Sequence, residues 1–493
     1  MANRVIYFIL SAYFWVGALW SGYFTEMSFL IMNLIIYLAF MGLVLYKREL
    51  TFKITDLFLV LFIFEYWISL LYAVDVEQAI LEASRVSSLL PFSLMISLLP
   101  REQLYRIYRM WPWIGSAVTI IGIVLGMYRN GRLESTFFYA NVLAILLLIN
   151  ILICIQTYLQ ERRILYMVLL TVNATGLLLT FSRSVWVLWF VVIGAAIILV
   201  KELRNRHMVF RMGLAHLCSL VIAFIIKNDL FFFWQRVSSI QSDTSEFQIR
   251  LVYWKDSLSL IRDFGWGGTG GGGWNVLIPH YHSQDYYVKF VHNHYIQVTL
   301  DIGVIGLLVF SMWVVIPLLN SIVRMMRSKI EYESPYFSKM ILLMLIAILL
   351  HAGFDIDFTF PLMTAVLISL MASIEVKQIR IRLSIKTIRV VAPLMLVIVG
   401  WWGWLAVGYG YNLEGNRLAN EGHYEEAQAT LAKSAKILPW SSSVLYNSAK
   451  GYVLQGNDSG VADYYQMASM QLRLAHGKVP EQTLYTELLK DIK

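Results

Sequence analysis

Apolar stretches long enough to cross a lipid bilayer recur along almost the whole chain. A membrane-spanning helix needs about 20 mostly apolar residues, and about thirteen stretches approach that length: 5–22, 27–46, 54–73, 86–99, 111–128, 137–158, 164–181, 185–200, 209–226, 295–322, 340–352, 360–374 and 390–409. Hydrophobic residues make up 58% of the 493 residues and charged residues only 15%, so lipid must cover much of the surface. The sequence predicts an all-α polytopic membrane protein with about 12–13 transmembrane helices.

Lysine and arginine are concentrated in alternate connections between these stretches. Cytoplasmic loops carry the excess of basic residues, and the basic connections hold Lys47, Arg48, Lys53, Arg101, Arg106, Arg109, Arg162, Arg163, Lys201, Arg204, Arg206, Arg211, Arg324, Arg327, Lys329, Lys377, Arg380, Arg382, Lys386 and Arg389. Connections such as 22–26 and 73–83 carry acids and almost no basic residues. We therefore expect a multi-pass protein of the cytoplasmic membrane, with its amino terminus in the cytoplasm and its carboxyl terminus outside.

The dispersed basic residues also argue against nucleic acid as a binding partner. The formal charge of +8 is not concentrated on one basic and aromatic surface, so it indicates how the chain is oriented in the membrane. Membrane lipids are the expected surroundings. Two predicted extracytoplasmic regions are longer than a turn, a large outer loop at 227–292 and everything after 411.

The chain divides into a transmembrane domain, 1–411, and a polar, Ala-rich tail, 412–493. Tetratricopeptide offsets are matched by Gly415, Gly422, Tyr424, Ala427 and Pro439, and Gly456 follows Gly422 after 34 residues. The tail therefore resembles a helical tetratricopeptide-like (TPR-like) domain, and the alternative is a plain helical hairpin packed on the membrane domain. Such repeats bind proteins, which predicts a partner protein of the cell envelope.

The string His292-Asn293-His294-Tyr295 opens the stretch at 295–322, and Gly303 and Gly306 follow it. A histidine has a near-neutral pKa and can act as a general base on a hydroxyl group. Two glycines three residues apart allow a neighbouring helix to approach closely. The alternative is a histidine at the membrane interface that only caps a helix.

The spacing of His292, Asn293, Gly303 and Gly306 resembles the signature of the O-antigen ligase and polymerase superfamily. Further features agree with that resemblance in chain order, over a core of about 129–361: Arg132 with Phe137 and Asn141, Ser182-Arg183-Ser184, Arg250 with Trp254, and, more loosely, His351, Asp355 and Asp357 with Pro361.

The resemblance implies a GT-C-like, metal-independent glycosyltransferase without a cofactor. Its donor would be a glycan on undecaprenyl diphosphate, and its acceptor another glycan or a different molecule. It implies that His292 activates the acceptor hydroxyl while Arg183 and Arg250 hold the diphosphate. Substrate-binding roles would fall to Arg132, Asn293, His294 and Trp254, and Gly303 and Gly306 would form the structural motif. Arginine suits a departing diphosphate, because its guanidinium group binds phosphate through two hydrogen bonds.

Several alternatives remain open at this stage. A zinc site would draw on His280, His282, His292 and His294. Gly268, Gly270 and Gly273 fit G-x-G-x-x-G, but they lack the strand and acidic residue of a dinucleotide site. The glycine-rich run 265–273 instead predicts a flexible segment that closes over a lipid headgroup, with Trp266 and Trp274 free to stack on sugars. Protein O-glycosylation, lipid or polysaccharide transport and a purely structural scaffold are further candidate functions.

Overall fold

The computed structural model describes residues 2–228, 246–326, 336–374 and 378–492, and these residues are predominantly α-helical. Part of the predicted outer loop, 229–245, and the basic residues Arg327, Lys329 and Lys377 lie outside the described residues. The helices are α1 (Ala2–Leu19), α2 (Glu26–Lys47), α3 (Ile54–Ile68), α4 (Val76–Ser87), α5 (Leu89–Ile96), α6 (Arg101–Val124), α7 (Ala140–Glu161), α8 (Leu165–Leu179), α9 (Arg183–Leu199), α10 (Arg206–Lys227), α11 (Glu246–Phe264), α12 (Gly273–Tyr281), α13 (His294–Met326), α14 (Phe337–Ala352), α15 (Pro361–Ile374), α16 (Ile385–Asn420), α17 (Tyr424–Ile437), α18 (Ser442–Ser459), α19 (Asp463–Lys478) and α20 (Thr483–Asp491).

The predicted apolar stretches coincide with helices. Eight helical segments of the described chain are long and apolar enough to cross a membrane: α2, α3 with the turn after it, α4 joined to α5, α6, α7, α10, α13 and α16. Five shorter apolar helices, α1, α8, α9, α14 and α15, fall on the remaining stretches. The all-α polytopic membrane architecture is thereby confirmed.

The basic connections meet at one end of the helix bundle, which we call the basic end. There β1 (Glu49–Lys53) pairs antiparallel with β4 (Gln378–Arg382). Lys47 Nζ also donates to Asn3 Oδ1 at 2.8 Å, and Lys339 Nζ donates to the Leu199 carbonyl at 2.9 Å. Connections that are far apart in sequence therefore share one end, as the alternation of charge predicts.

The other connections gather at the opposite end, which we call the site end. A short hairpin, β2 (Tyr128–Arg129) and β3 (Arg132–Leu133), leads from α6 towards α7. Thr136 Oγ1 donates to the Ala18 carbonyl at 2.6 Å, and Lys227 Nζ donates to the Gly131 carbonyl at 3.0 Å. α7 begins here and runs through the middle of the bundle, with its apolar stretch completely buried.

Helix α13 is interrupted near its start, and the glycine-rich run packs into the gap. Ile302 and Gly303 leave helical geometry, and Gly303 has φ +72°. The freed backbone groups find partners in that run: Thr269 N–H donates to the Leu300 carbonyl at 2.7 Å, Gly270 N–H to the Asp301 carbonyl at 3.0 Å and Val304 N–H to the Gly265 carbonyl at 2.9 Å. A broken helix persists inside a membrane protein only when such groups are satisfied internally.

This packing corrects the prediction of a flexible closing segment at 265–273. The run is fixed by backbone hydrogen bonds, and Gly303 admits the backbone of that loop instead of a neighbouring helix. Trp274 is fully buried and donates to the Val288 carbonyl at 3.2 Å, so its ring cannot stack on a sugar. Trp266 is 77% exposed.

The Gly303→Ala substitution is expected to destabilise the protein. A Cβ atom at Gly303 would lie 1.9 Å from the Trp266 carbonyl oxygen, and its positive φ strains any L residue by about 1–3 kcal/mol. Gly194→Ala in α9 is the matched control, because its Cβ atom would meet no atom within 4 Å and alanine favours helix by about 1 kcal/mol. Thermal unfolding in detergent should show a lower midpoint for Gly303→Ala only; equal midpoints would contradict the packing role.

The last apolar helix continues without a break into the tail. The predicted domain boundary at 411 falls inside α16, which ends at Asn420. α17 folds back on this helix, where Ser434 Oγ donates to the Gly408 carbonyl at 2.8 Å and Trp404 Nε1 donates to the Ile437 carbonyl at 3.0 Å. The tail is therefore a series of helices fastened to the end of a membrane helix.

A buried carboxylate fastens the tail to the membrane helices. Glu77 in α4 is 1% exposed and accepts hydrogen bonds from the backbone N–H groups of Ser442 and Ser443, both at 2.9 Å. The hydroxyls of Ser441 and Ser443 donate to the same carboxylate at 2.7 Å. Glu77 thus caps the amino terminus of α18, where a negative charge is favourable.

Replacing Glu77 by alanine is expected to loosen the tail. Hydrogen bonds to a charged group contribute about 1.5–3 kcal/mol each, and a net loss of about 2 kcal/mol raises the undocked fraction roughly 30-fold. Limited proteolysis should cut the tail of this variant correspondingly faster. The exposed Glu425→Ala in α17 is the control, and equal cleavage rates for both variants would exclude a docking role for Glu77.

Candidate active site

A buried carboxylate at the site end joins four segments of the chain. Asp355 lies in the turn between α14 and α15 and is completely buried. Its Oδ1 atom accepts from the Tyr139 hydroxyl at 2.6 Å and from the Ile356 N–H at 2.9 Å, and its Oδ2 atom accepts from Asn141 Nδ2 at 2.5 Å. A buried charge persists only when donors surround it in this way.

Arg250 of α11 completes the charge balance around Asp355. Its Nη2 atom lies 3.3 Å from Asp355 Oδ2, and its Nη1 atom donates to the Phe354 carbonyl. Only 13% of the Arg250 side chain is exposed. The described part of the loop, 246–292, therefore reaches the turn after α14 through this ion pair.

His292 is held in one orientation by the same carboxylate. Its Nδ1 atom lies 3.3 Å from Asp355 Oδ1 and 3.2 Å from the Tyr139 hydroxyl. A carboxylate can only accept, so Nδ1 of the neutral ring carries the proton and Nε2 keeps the lone pair. The His292 backbone has φ +52°, a left-handed conformation that non-glycine residues adopt mainly where a structure imposes it, often at functional sites.

The electrostatics keep Asp355 ionised. Burial alone would raise its pKa, but Arg250 and the hydrogen bond from His292 outweigh burial, and the pKa stays well below its ordinary value. Burial and the adjacent Asp355 raise the pKa of Tyr139 well above its ordinary value, so the phenol remains a donor. The cluster is thus a carboxylate with fixed donors around it.

A cavity of about 250 Å³ opens beside this cluster. Small-ligand sites typically occupy roughly 300–1,000 Å³, so this cavity suits part of a larger substrate. Three arginines line it together with His292 and Glu134: Arg129, Arg132 and Arg250. Arg129 is paired with Glu134 at 2.9 Å and Arg250 with Asp355, so three arginines face two carboxylates and the net positive charge favours an anionic group next to the imidazole.

Arg132 and Arg183, both predicted from the sequence, take different positions. Arg132 lines the cavity, donates from Nε to the Thr180 carbonyl at 2.9 Å, and also donates to Asn141 Oδ1. Arg183 is the first residue of α9. Arg183 is not among the described residues that line the cavity. The turn just before it, however, is bound by Arg132 at the Thr180 carbonyl.

Three more predicted residues, Asn293, His294 and Trp254, are not among the described residues that line this cavity. Asn293 Oδ1 accepts from the N–H groups of Tyr295 and Ile296, both at 3.1 Å, and so caps α13. His294 is buried against Phe310 and Phe358 and faces a separate cavity. Trp254 Nε1 donates to the Val291 carbonyl at 3.2 Å, which holds α11 against the segment that ends at His292.

Gly303 and Gly306 lie at the break in α13. A Cβ atom at Gly306 would come within 2.3 Å of the Ile302 side chain, just as one at Gly303 would meet the glycine-rich run. The predicted structural motif therefore supports the segment that carries His292, and neither glycine is among the described residues that line the cavity.

The four histidines of the zinc alternative do not gather. His280 pairs with Glu481 at 3.1 Å, while His292 and His294 face different cavities. In the described part of the chain, no group of three or more His, Cys, Asp or Glu side chains is arranged to hold a metal ion.

Sequence reasoning missed Tyr139 and gave Asp355 only a loose role. Tyr139 comes directly before α7, between Phe137 and Asn141 of the family resemblance, and that position was the one signal that could have identified it. Asp355 carries one signal, since it is a carboxylate between two apolar helices, where ionisable residues are usually functional. Neither its ion pair with Arg250 nor its bond to His292 can be read from spacing.

Residues 165–311 match the family model described as O-antigen ligase, which confirms the resemblance predicted from the sequence. The matched range contains Arg183, Arg250 and His292, whereas Arg132 and Asp355 lie outside it. The match supports a membrane glycan-processing function for this multi-pass protein. No curated protein is similar enough to this chain to count as a match.

The Asp355→Asn substitution is expected to destabilise the protein by roughly 3–5 kcal/mol at neutral pH, because it leaves Arg250 buried without its countercharge. The folded pKa of Asp355 is depressed, so its stabilisation is complete above its ordinary pKa of about 3.9 and disappears only as the pH falls towards the depressed value. Thermal unfolding should therefore show a constant gap between variant and parent from about pH 5 to 8, which narrows below about pH 4. The exposed Asp285→Asn should show no gap.

Proposed function

We propose that this protein transfers a glycan from undecaprenyl diphosphate to an acceptor hydroxyl, without a metal ion or another cofactor. The observation that carries the proposal is the His292–Asp355–Arg250 cluster beside an arginine-lined cavity. It combines a positioned base with a site for an anionic leaving group, which are the two elements that such a transfer needs.

The base is the Nε2 atom of His292. Asp355 holds the proton on Nδ1 and stabilises the imidazolium that forms when Nε2 takes the acceptor's proton. The deprotonated oxygen attacks the anomeric carbon, the bond from that carbon to the phosphate oxygen breaks, and its electron pair leaves with the diphosphate. A base in this position contributes about 10²–10⁴-fold to rate.

The cavity arginines receive the leaving diphosphate. Arg132 and Arg250 line the cavity with His292, and each is partly buried, where a guanidinium interacts more strongly with phosphate than it does in water. In this proposal Arg183 acts on the donor from the first turn of α9. Asn293, His294 and Trp254 then support the site through α13 and α11 instead of contacting the substrate.

The site end faces the outside of the cell in this proposal, since the basic loops gather at the opposite end and basic loops stay in the cytoplasm. The amino terminus is then cytoplasmic and the tail extracytoplasmic. The tail, with its TPR-like offsets, offers helices to a partner protein of the cell envelope. Such a partner would bring the acceptor to the site end, and a protein acceptor fits this arrangement as well as a glycan.

The decisive experiment is glycan transfer by purified protein in nanodiscs, with an undecaprenyl-diphosphate glycan from the same cells as donor. His292→Ala should lower the rate about 10²–10⁴-fold. His207→Ala, an exposed histidine at the start of α10, should keep full activity. A chelator should leave the rate of the parent protein unchanged. A fully active His292→Ala variant would remove His292 from the mechanism.

The role of Arg250, and the choice between glycan transfer and transport, are tested in the same nanodisc system. Arg250→Lys should lose most of the activity, because lysine cannot form the paired hydrogen bonds, whereas the 80% exposed Arg262→Lys on the same helix should not. Movement of the lipid-linked glycan without a new glycosidic bond would indicate a transporter instead.

Deletion of the gene then separates the two kinds of transfer. Accumulated single repeat units on the lipid would indicate a polymerase. Long lipid-linked chains without their final attachment would indicate a ligase, for which a protein or another surface molecule is the acceptor.

A further inference from the structure

A second hydrogen-bonded chain of side chains lies close to the Asp355 cluster. His351, near the end of α14, places Nδ1 at 2.7 Å and 3.0 Å from the two carboxylate oxygens of Asp357. Its Nε2 atom lies 3.3 Å from the hydroxyl of Ser184 in the first turn of α9. His351 is 1% exposed and Asp357 is completely buried. The chain thus joins α14 to α9 through the interior of the bundle.

The direction of the hydrogen bonds in this chain of side chains follows from Asp357, which lies at its buried end. The Asp357 carboxylate accepts from the N–H at Nδ1 of His351, and in the neutral ring Nε2 is then the acceptor for the Ser184 hydroxyl. A buried carboxylate and imidazole that satisfy each other are costly to disrupt, because either one alone is left unpaired in the interior. Ser184 is therefore bound to a fixed acceptor, and the position of its turn is fixed with it.

That turn needs external support. The backbone between α8 and α9 passes through Phe181 with φ +50°, a conformation that an aromatic residue adopts only when its surroundings impose it. Arg132 binds the turn before Arg183, at the Thr180 carbonyl, at 2.9 Å. His351 binds it after Arg183, at Ser184. Arg183 lies between these two attachment points, so both together determine where its guanidinium can reach.

We propose that Asp357, His351 and Ser184 form a positioning relay that holds the first turn of α9, and with it Arg183, beside the cavity, so that Arg183 can bind the diphosphate of the donor. The inference rests on the proposed function, since it assigns Arg183 to the donor. It adds three residues that act through Arg183 and do not touch the substrate. The same three side chains have the geometry of a Ser-His-Asp nucleophile system, but a nucleophile must reach its substrate, and Ser184 is not among the described residues that line the cavity.

Steady-state kinetics of glycan transfer test the relay. A misplacement of about 1 Å costs on the order of 10²-fold in rate, so Ser184→Ala and His351→Gln should each lower kcat by roughly 10–100-fold. The KM of the acceptor should stay unchanged, because His292 and its cavity are intact. Ser184→Thr keeps the hydroxyl and should restore most of the activity. The single substitution Arg183→Lys, made with the relay intact, should also lower kcat.

A double-mutant cycle separates the relay from general damage to the fold. If His351 acts only through Ser184, the double variant should be no slower than the slower single variant, whereas independent effects would multiply. Multiplied effects, or a fully active Ser184→Ala variant, would overturn the relay. Labelling of Ser184 by a fluorophosphonate probe would also overturn it and would assign Ser184 as a nucleophile.

The result distinguishes failure of the relay from failure of the proposed function. If the parent protein transfers no glycan, the proposed function is wrong. If the parent and Ser184→Ala are equally active while Arg183→Lys is impaired, only the relay is wrong. Should His351→Gln fail to fold, Ser184→Ala and Ser184→Thr still decide, because Ser184 is only half-buried and each change is small.

Discussion

The ion pair between Asp355 and Arg250 is the interaction on which the site depends. A carboxylate buried without water is tolerated only with close countercharge and donors, and Asp355 obtains them from α7, α11 and the segment before α13. The same bonds orient the His292 ring and hold α11 against the turn after α14. A single buried charge thus holds His292 and Arg250 together beside the cavity.

The break in α13 supplies the rigidity that this cluster needs. The segment that ends at His292 is held by Trp254, by the Asn293 cap and by the glycine-rich run that fills the gap at Gly303. The glycines are needed there because another backbone approaches too closely for a Cβ atom. The glycine-rich run 265–273, which the sequence suggests is a flexible loop, is therefore a fixed element that supports the site.

The tail also packs against the elements that support the site. Glu77 caps α18 from within the membrane helices, and Val276 of α12 packs into the apolar core formed by α18, α19 and α20. α12 directly follows the glycine-rich run, so the tail is joined to the segment that supports α13. The tail is therefore connected to the elements that support the site through packed helices.

By itself, the sequence determined the membrane architecture, the grouping of the basic loops and the family motif around His292, because apolar length, charge alternation and motif spacing are local properties. It also identified Arg250 and Arg132, both of which line the cavity. It could not distinguish His292, which faces the cavity, from its neighbours in the chain. Asn293 caps α13, and His294 packs against Phe310 and Phe358. The central role of Asp355, the partnership of Ser184 with His351 and the packing of the glycines were decided by tertiary structure alone. Each depends on side chains that meet from segments far apart in the chain, and no periodicity records which buried groups will satisfy one another.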